Sequence, residues 1–175
     1  MNDNEVLVDK RNVRLSGEIG SEKTNYLIQE MEKLERKEDR DQINLYVNSR
    51  GGMYDDMIAI YDTMKGLDCE VNTIGVGRCM SAASVIVMAG TGERKAYEHT
   101  RFLIHAIQCS TKFQSIKDNE ITHEEQKRIQ SILRDLIARE CGQTRGKVEK
   151  DLERDKFMSA EEAVHYGLID EIIGG

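Results

Sequence analysis

The sequence predicts an α/β domain in which strand and helix alternate around a parallel sheet. Runs rich in β-branched residues are followed, three times over, by segments whose apolar residues recur at helical spacing. Repeated strand–helix units with short connections form parallel strands joined by right-handed crossovers. A chain of 175 residues is long enough to bury one such core, so we expect a single domain over residues 1–175.

Three strand–helix units make up the first half of the chain. The predicted strands span residues 13–19, 43–47 and 71–76, and the predicted helices span residues 21–37, 54–65 and the apolar run after Ser81. Ligands of such sheets bind beyond the carboxyl ends of the strands. Gly51, Gly52 and Ser81 each follow a predicted strand, so the sequence places a candidate site at that edge.

The second half of the chain adds one alternating strand, one long helix and a short C-terminal unit. The strand, residues 101–105, ends at His105, and the long helix spans about residues 122–140. This helix carries an apolar stripe of five residues, Ile129, Ile132, Leu133, Leu136 and Ile137. Ser159 and Glu162 form a capping box that starts a short helix, and residues 168–173 are predicted as the last strand.

Ser81 is the first candidate functional residue, because it stands where a strand gives way to a buried helix. Free backbone N–H groups at a helix start can stabilise a negative charge that develops beside the serine, which suits a nucleophile. Serine is also a preferred N-cap residue, so a structural role on a core helix is the competing interpretation. Ser84, one helical turn further on, is expected to cap or pack.

Three other features give Ser81 chemical partners. The glycines Gly51 and Gly52 can turn sharply and present bare N–H groups to a ligand, although a plain turn explains the pair equally well. His105 delivers an imidazole at a strand end, and Asp155 lies in a charged segment near the C-terminus. Triads are recognised by geometry and not by sequence order, so the residue types alone leave this set open.

Several motifs, in order along the chain, resemble those of one known family. They are the strand and glycine loop at residues 43–52, the helix at 60–64, the segment 77–84 around Ser81, the histidine strand 102–105 and the C-terminal signature 153–170. From about Val13 to Ile172 the chain resembles the proteolytic subunit of the Clp peptidases (ClpP), which are serine peptidases. The resemblance implies a ClpP/crotonase-like core of repeated β-β-α and βαβ units with a projecting handle helix, the handle region covering about residues 106–142.

Carried over position by position, the resemblance implies a role for each site residue. Ser81 is the implied nucleophile, His105 the general base and Asp155 the residue that orients the base. The oxyanion hole maps onto the backbone N–H groups of Gly52 and Ala82. Asp155 is preferred to the nearby Asp151, because only Asp155 matches the aspartate of the family's signature.

The resemblance also implies an activity and an assembly. The expected activity is that of an ATP-dependent Clp protease proteolytic subunit, a serine endopeptidase that hydrolyses unfolded polypeptides or short peptides inside a homo-oligomeric ring, a heptamer or double heptamer. The resemblance implies that the striped helix packs against another subunit, whereas a stripe on such a helix is more usually part of the domain's own core. An AAA+ unfoldase is the implied partner. Residues 142–147 have the wrong spacing for a phosphate loop, so ATP is expected to act only through that partner, and no cofactor is expected.

Composition excludes other classes of function. The net charge of −7 and the pI near 5.2 argue against nucleic-acid binding. No segment offers about 20 uncharged apolar residues, and residues 1–12 lack an apolar signal segment, so we expect neither a membrane span nor a secretory signal. Four dispersed cysteines favour a reduced, cytoplasmic protein without a metal site. Cys79 is expected to be a buried filler, although its proximity to Ser81 also allows a nucleophile.

Departures from the family pattern keep two alternatives open. Arg50 stands where the family usually has proline, and the residues after His105 lack the family's proline and glycine pair. A catalytically weak, structural ClpP-like subunit is therefore the first alternative. The second is an acyl-CoA enzyme of the related crotonase fold, which builds a similar two-amide oxyanion hole without needing a serine–histidine pair.

Overall fold

A computed structural model describes residues 6–37, 41–108 and 116–174. Eight strands lie in these ranges: β1 (Leu7–Asp9), β2 (Asn12–Ile19), β3 (Ile43–Gly52), β4 (Val71–Met80), β5 (Arg94–Tyr97), β6 (Arg101–Ile104), β7 (Lys156–Met158) and β8 (Glu171–Ile173). Six helices accompany them: α1 (Ser21–Glu35), α2 (Tyr54–Gly66), α3 (Ala82–Met88), α4 (Ile116–Glu140), α5 (Arg145–Leu152) and α6 (Ala160–Tyr166).

The predicted α/β architecture with a parallel sheet is confirmed. The strand order is β1-β2-β3-β4-β5-β8, and every neighbouring pair from β2 to β8 along this path is parallel. Only β1 at one edge runs antiparallel to its neighbour on this path. The carboxyl ends of the parallel strands β2, β3 and β4 therefore lie at the same edge, where the sequence predicts the site.

Strand β4 changes its partner halfway along, and this change positions the candidate site. Residues 73–75 pair with β5, whereas residues 78–80 pair with β6. Between the two halves, the register with β3 shifts and Gly77 adopts a φ of 65°, so the strand bends there. Because β6 pairs with β7 in turn, these two strands form a branch that joins the main sheet through β4.

Helices α1, α2 and α3 bury one face of the sheet. Along β3, Ile43, Leu45 and Val47 are buried, while Asn44 and Tyr46 between them are only partly buried, as the two-residue period of a strand requires. All seven residues of α3 are buried, which agrees with its sequence of small and aliphatic residues. The helix that follows Ser81 is therefore the central helix of the core.

The apolar stripe of α4 divides between core and surface. Three of its five residues are buried within the domain: Leu133, Leu136 and Ile137. Ile129 is partly buried and Ile132 is 41% exposed, while Ile121 nearer the start of the helix is 69% exposed. The expectation that the whole stripe faces another subunit is therefore wrong, because the second half of α4 packs against α3 and α5 of its own chain.

Sequence patterns miss several short elements. Strands β1, β5 and β7 were not predicted, since three or four residues are too few to reveal an alternating period. Helix α5, which has eight residues, was not predicted either. Strands β3 and β4 also extend beyond their predicted ends, through the glycine pair and up to Ser81 respectively. Helix α4 begins at Ile116 instead of residue 122, and the last strand is confined to Glu171–Ile173.

Candidate active site

Ser81 occupies a strained turn between β4 and α3. Its backbone has φ 56° and ψ −124°, and within the described ranges Lys10 is the one other non-glycine residue with a positive φ. Holding a residue there costs about 1–3 kcal/mol, and such strain is typical of functional sites. Sharp strand-to-helix turns of this kind present nucleophiles in hydrolases. The Ser81 N–H donates to the carbonyl of Leu103 at 2.8 Å, which ties the turn to β6.

The Ser81 hydroxyl does not cap the helix that follows it. Ser81 is the N-cap residue of α3 by position, yet its side chain accepts no capping hydrogen bond. Thr144 and Ser159, by contrast, cap α5 and α6 by accepting hydrogen bonds from backbone N–H groups. The competing interpretation of Ser81 as a side-chain cap is therefore wrong, and its hydroxyl is available for chemistry.

The glycine loop lies directly against Ser81. Gly51 has φ 103°, and a Cβ built on it would stand 2.8 Å from the Ser81 Cβ and 3.1 Å from the Ala82 nitrogen. Only glycine allows so close an approach at this φ. The buried Ser49 hydroxyl shapes the loop by accepting the Gly51 N–H at 3.0 Å. The two amides predicted as oxyanion donors, those of Gly52 and Ala82, thus belong to backbone segments that are in contact.

His105 follows the strand that runs beside Ser81. Met80 of β4 pairs with Leu103 of β6 in parallel register. Ser81 and His105 follow these two residues by one and two positions, so both lie at the same edge of the sheet. The imidazole is partly buried, and its Nδ1 atom is buried with no hydrogen-bond partner in the described part of the chain. A buried polar atom without a partner is costly, and in a triad Nδ1 is the atom that the orienting carboxylate binds.

Asp155 immediately precedes β7, the strand that pairs with the histidine strand. Ile104 of β6 pairs with Lys156 of β7 in antiparallel register, and His105 and Asp155 are the next residues along each chain, just beyond this last pair. Asp155 is exposed, and its carboxylate makes no hydrogen bond to His105 among the described residues. The two residues therefore follow the same end of the β6–β7 pair, with no hydrogen bond between them.

Asp151, the competing aspartate, is engaged elsewhere. Its carboxylate forms ion pairs with Lys147 at 3.1 Å and with Lys156 at 3.2 Å. Burial acts to raise the pKa of this carboxyl, but the interactions with Lys147, Lys156 and Tyr166 together outweigh burial and hold the pKa below its usual value. These contacts favour Asp155 over Asp151 as the partner of His105.

Cys79 has the environment of an inert core residue. Its side chain is fully buried and its Sγ lies 3.2 Å from the carbonyl of Val47. Burial raises the pKa of the Cys79 thiol to about 12, so almost no thiolate forms near neutral pH. The prediction of a buried filler is consistent with this position, and the alternative of a cysteine nucleophile is not.

Two buried serines contribute to the site in ways that sequence reasoning missed. Ser49 shapes the glycine loop, and Ser84 connects β4 with β6 because its hydroxyl lies within hydrogen-bond distance of backbone atoms of Cys79 and Leu103. The spacing of Ser49 and Gly51 is typical of a serine turn, so the sequence could have revealed the role of Ser49. The role of Ser84 depends on the pairing of β4 with β6, which no local pattern predicts.

A groove of about 680 Å³ opens next to the segment that follows His105. Helices α4 and α5 form its walls, and the Ile107 N–H donates to the side-chain oxygen of Gln130 at 2.9 Å, which attaches the segment to α4. Residues 109–115, which include part of the segment that departs from the family pattern, lie outside the described residues.

Comparison with known proteins identifies the family. A family model described as Clp protease matches residues 1–175, the whole chain. The chain belongs to the Clp protease family. It is 39% identical over 168 residues to ATP-dependent Clp protease proteolytic subunit 3 of Frankia casuarinae. The matched region covers 95% of this chain and 78% of that protein. It is 34% identical over 174 residues to proteolytic subunit 1 of Thermobifida fusca, covering 99% of this chain and 78% of the relative.

Membership of the Clp protease family confirms the resemblance stated from the sequence motifs. Subunit 2 of Frankia casuarinae is described in the same way, and the chain is 39% identical to it over 95% of this chain and 77% of the relative.

Neither a cluster of metal-binding side chains nor a membrane-spanning helix is found in the described ranges. No group of three or more histidine, cysteine or acidic residues there is arranged to hold a metal ion. No helix in those ranges is long and apolar enough to span a membrane.

Proposed function

We propose that this protein is the proteolytic subunit of a Clp-type protease, a serine endopeptidase in which Ser81 attacks the peptide carbonyl. The observation that carries the proposal is the strained Ser81 turn, whose hydroxyl makes no capping bond and which lies against the glycine loop. The descriptions of the curated relatives as Clp protease proteolytic subunits support the same activity. They favour neither a structural subunit nor an acyl-CoA enzyme.

In the proposed mechanism, His105 accepts the Ser81 proton as the hydroxyl oxygen attacks the substrate carbonyl. The carbonyl oxygen becomes an oxyanion, which the backbone N–H groups of Gly52 and Ala82 stabilise. His105 then donates its proton to the leaving amine, and an acyl-enzyme remains on Ser81 until water attacks it with His105 again as base. One oxyanion donor typically lowers the barrier by about 3 kcal/mol, so the glycine loop matters as much as the base.

Asp155 is proposed to orient the imidazole of His105. A carboxylate that accepts a hydrogen bond from Nδ1–H fixes the tautomer in which Nε2 can accept the Ser81 proton, and it stabilises the imidazolium that forms. Two observations support this role: each residue lies one position beyond the last register pair of β6 with β7, and the buried Nδ1 of His105 has no partner in the described part of the chain. The hydrogen bond is expected to form when substrate or a partner subunit orders the exposed Asp155 side chain.

The proposed assembly encloses the active site. An open peptidase site would cleave its neighbours, so a homo-oligomeric ring of about seven subunits, single or doubled, would restrict cleavage to unfolded polypeptides and short peptides. Helix α4 is the proposed handle, and its exposed residues Ile121 and Ile132 are the surface that would contact another subunit. An AAA+ unfoldase in the cytoplasm would supply substrate and consume ATP, and the subunit itself would need no cofactor.

Hydrolysis of a fluorogenic peptide tests the proposed activity. The parental protein is expected to cleave the peptide, while Ser81→Ala and His105→Ala are expected to lose about 10³-fold or more in kcat with an unchanged circular dichroism spectrum. Ser21→Ala, which removes an exposed hydroxyl at the start of α1, serves as the matched control and is expected to retain parental activity. Near-parental turnover by Ser81→Ala would contradict the proposal.

A further inference from the structure

We infer that Ser84 is a positioning residue that holds the nucleophile turn against the histidine strand. The inference deepens the proposed peptidase function and rests on it. Ser84 is distinct from the triad, because its side chain is fully buried and faces backbone atoms of its own chain instead of the open groove.

The Ser84 hydroxyl lies between two strands. Its Oγ is 2.6 Å from the carbonyl oxygen of Cys79 in β4, 2.8 Å from the carbonyl oxygen of Leu103 in β6 and 3.3 Å from the Leu103 nitrogen. A hydroxyl has one hydrogen and can also accept, so it donates to one of the two carbonyls while the Leu103 N–H donates to it. All three neighbouring atoms are backbone atoms, one from the buried Cys79 and two from the partly buried Leu103.

These backbone atoms lie next to the proposed catalytic residues. Cys79 precedes Ser81 by two residues, and Leu103 precedes His105 by two residues. The Leu103 carbonyl that Ser84 contacts also accepts the Ser81 N–H at 2.8 Å. The Ser84 side chain therefore connects the backbone that precedes the proposed nucleophile with the backbone that precedes the proposed base.

The branch that carries His105 needs such a connection because it is small. β6 has four residues and β7 has three, and β6 joins the main sheet through three register pairs with residues 78–80. The pairing between β4 and β6 ends where β4 gives way to α3 at Ser81. At this end of the pairing, the Ser84 hydroxyl contacts the backbone of Cys79 and of Leu103. A shift of about 1 Å between reacting groups can lower a rate about 10²-fold. Loss of the hydroxyl should therefore slow chemistry more than it weakens substrate binding.

Two other buried hydroxyls provide matched controls. Thr73 donates to the carbonyl of Val87 at 2.6 Å, and Thr100 donates to the carbonyl of Gly75 at 3.1 Å. Both threonines are as buried as Ser84, and both connect separate backbone segments. Neither contacts the backbone next to Ser81 or His105. Replacing either with valine removes a buried hydrogen bond at nearly constant volume.

The experiment compares Ser84→Ala and Ser84→Cys with Thr73→Val and Thr100→Val. Melting temperature, kcat and KM for a fluorogenic peptide, and the rate at which Ser81 reacts with a fluorophosphonate are measured for each. All variants are expected to melt below the parental protein. Ser84→Ala is expected to lower kcat and the fluorophosphonate rate about 10- to 100-fold with KM within about two-fold of parental. Ser84→Cys, whose thiol is a weaker donor, should be intermediate, and the threonine variants should keep parental kcat.

The outcomes separate this inference from the proposed function. Parental kcat in Ser84→Ala, with the same loss of melting temperature as the threonine variants, would mean that Ser84 is only structural and would overturn the inference alone. A parental protein that neither cleaves peptide nor reacts with the probe would overturn the proposed function and the inference with it. If Ser84→Ala does not fold, the kcat of Ser84→Cys tests the inference instead. Parental kcat in Ser84→Cys would then overturn the inference.

Discussion

Gly51 lies so close to Ser81 that a Cβ on the glycine would stand 2.8 Å from the Cβ of the serine. The same added atom would lie 2.7 Å from the carbonyl oxygen of Met80. The glycine loop and the Ser81 turn therefore form one packed unit, so we expect a change in either backbone to move the other. The geometry of the proposed oxyanion hole depends on this contact.

Replacing Gly51 with alanine is expected to damage both stability and catalysis. The alanine side chain would be strained at the positive φ and would clash with Ser81. This strain should lower the free energy of unfolding by about 1–3 kcal/mol and kcat by about 10²-fold or more. Denaturant unfolding and peptide hydrolysis measure the two effects. Gly146→Ala is the control, since its added Cβ would meet no atom within 4 Å in helix α5, and it should leave kcat unchanged. Parental kcat in Gly51→Ala would contradict the packed arrangement.

Asp155→Asn is expected to lower kcat steeply, whereas Asp151→Asn is not. Asparagine at position 155 favours the wrong imidazole tautomer of His105, and such a change costs about 10⁴-fold in related triads. Asp151 instead pairs with Lys147 and Lys156, so its replacement should cost stability and leave kcat within a few-fold of parental. Steady-state kinetics of both variants checks the ranking. A larger loss in Asp151→Asn would reverse the assignment.

The sequence predicted the repeating part of the fold because that part follows local periods. Strand β2 and helices α1, α2 and α6 appear within two residues of their predicted bounds, and the capping box of Ser159 and Glu162 is present. Each of these elements carries its own alternating or helical pattern, or its own cap. Ser81, His105 and Asp155 became candidates through motifs that local chemistry and the family resemblance both supported.

The connections that assemble the site could not be predicted in the same way. The switch of β4 from β5 to β6 and the pairing of β6 with β7 depend on contacts between residues far apart in sequence. The role of Ser84 follows from that pairing and has no local signature. Division of the α4 stripe between core and surface likewise depends on where α3 and α5 pack, which the helical period does not specify.

Ile132→Glu is expected to weaken assembly without unfolding the protein. Ile132 is 41% exposed on α4, so a glutamate there costs the isolated chain little but would be buried without a partner in a subunit interface. Sedimentation velocity should show smaller species at a nearly unchanged melting temperature. Leu133→Glu is the matched contrast, because Leu133 is buried within its own chain and a charge there should unfold the domain. An unchanged distribution of species in Ile132→Glu would contradict the assignment of α4 as a handle.

Reaction with a fluorophosphonate, followed by peptide mapping, is the decisive test of Ser81 as the nucleophile. The probe reacts with serines whose hydroxyl is activated by a neighbouring base. We expect one adduct per chain, located on Ser81, with no adduct in Ser81→Ala and a strongly slowed reaction in His105→Ala. Labelling of another residue, or equal labelling of the parental protein and Ser81→Ala, would contradict the assignment of Ser81 as the nucleophile.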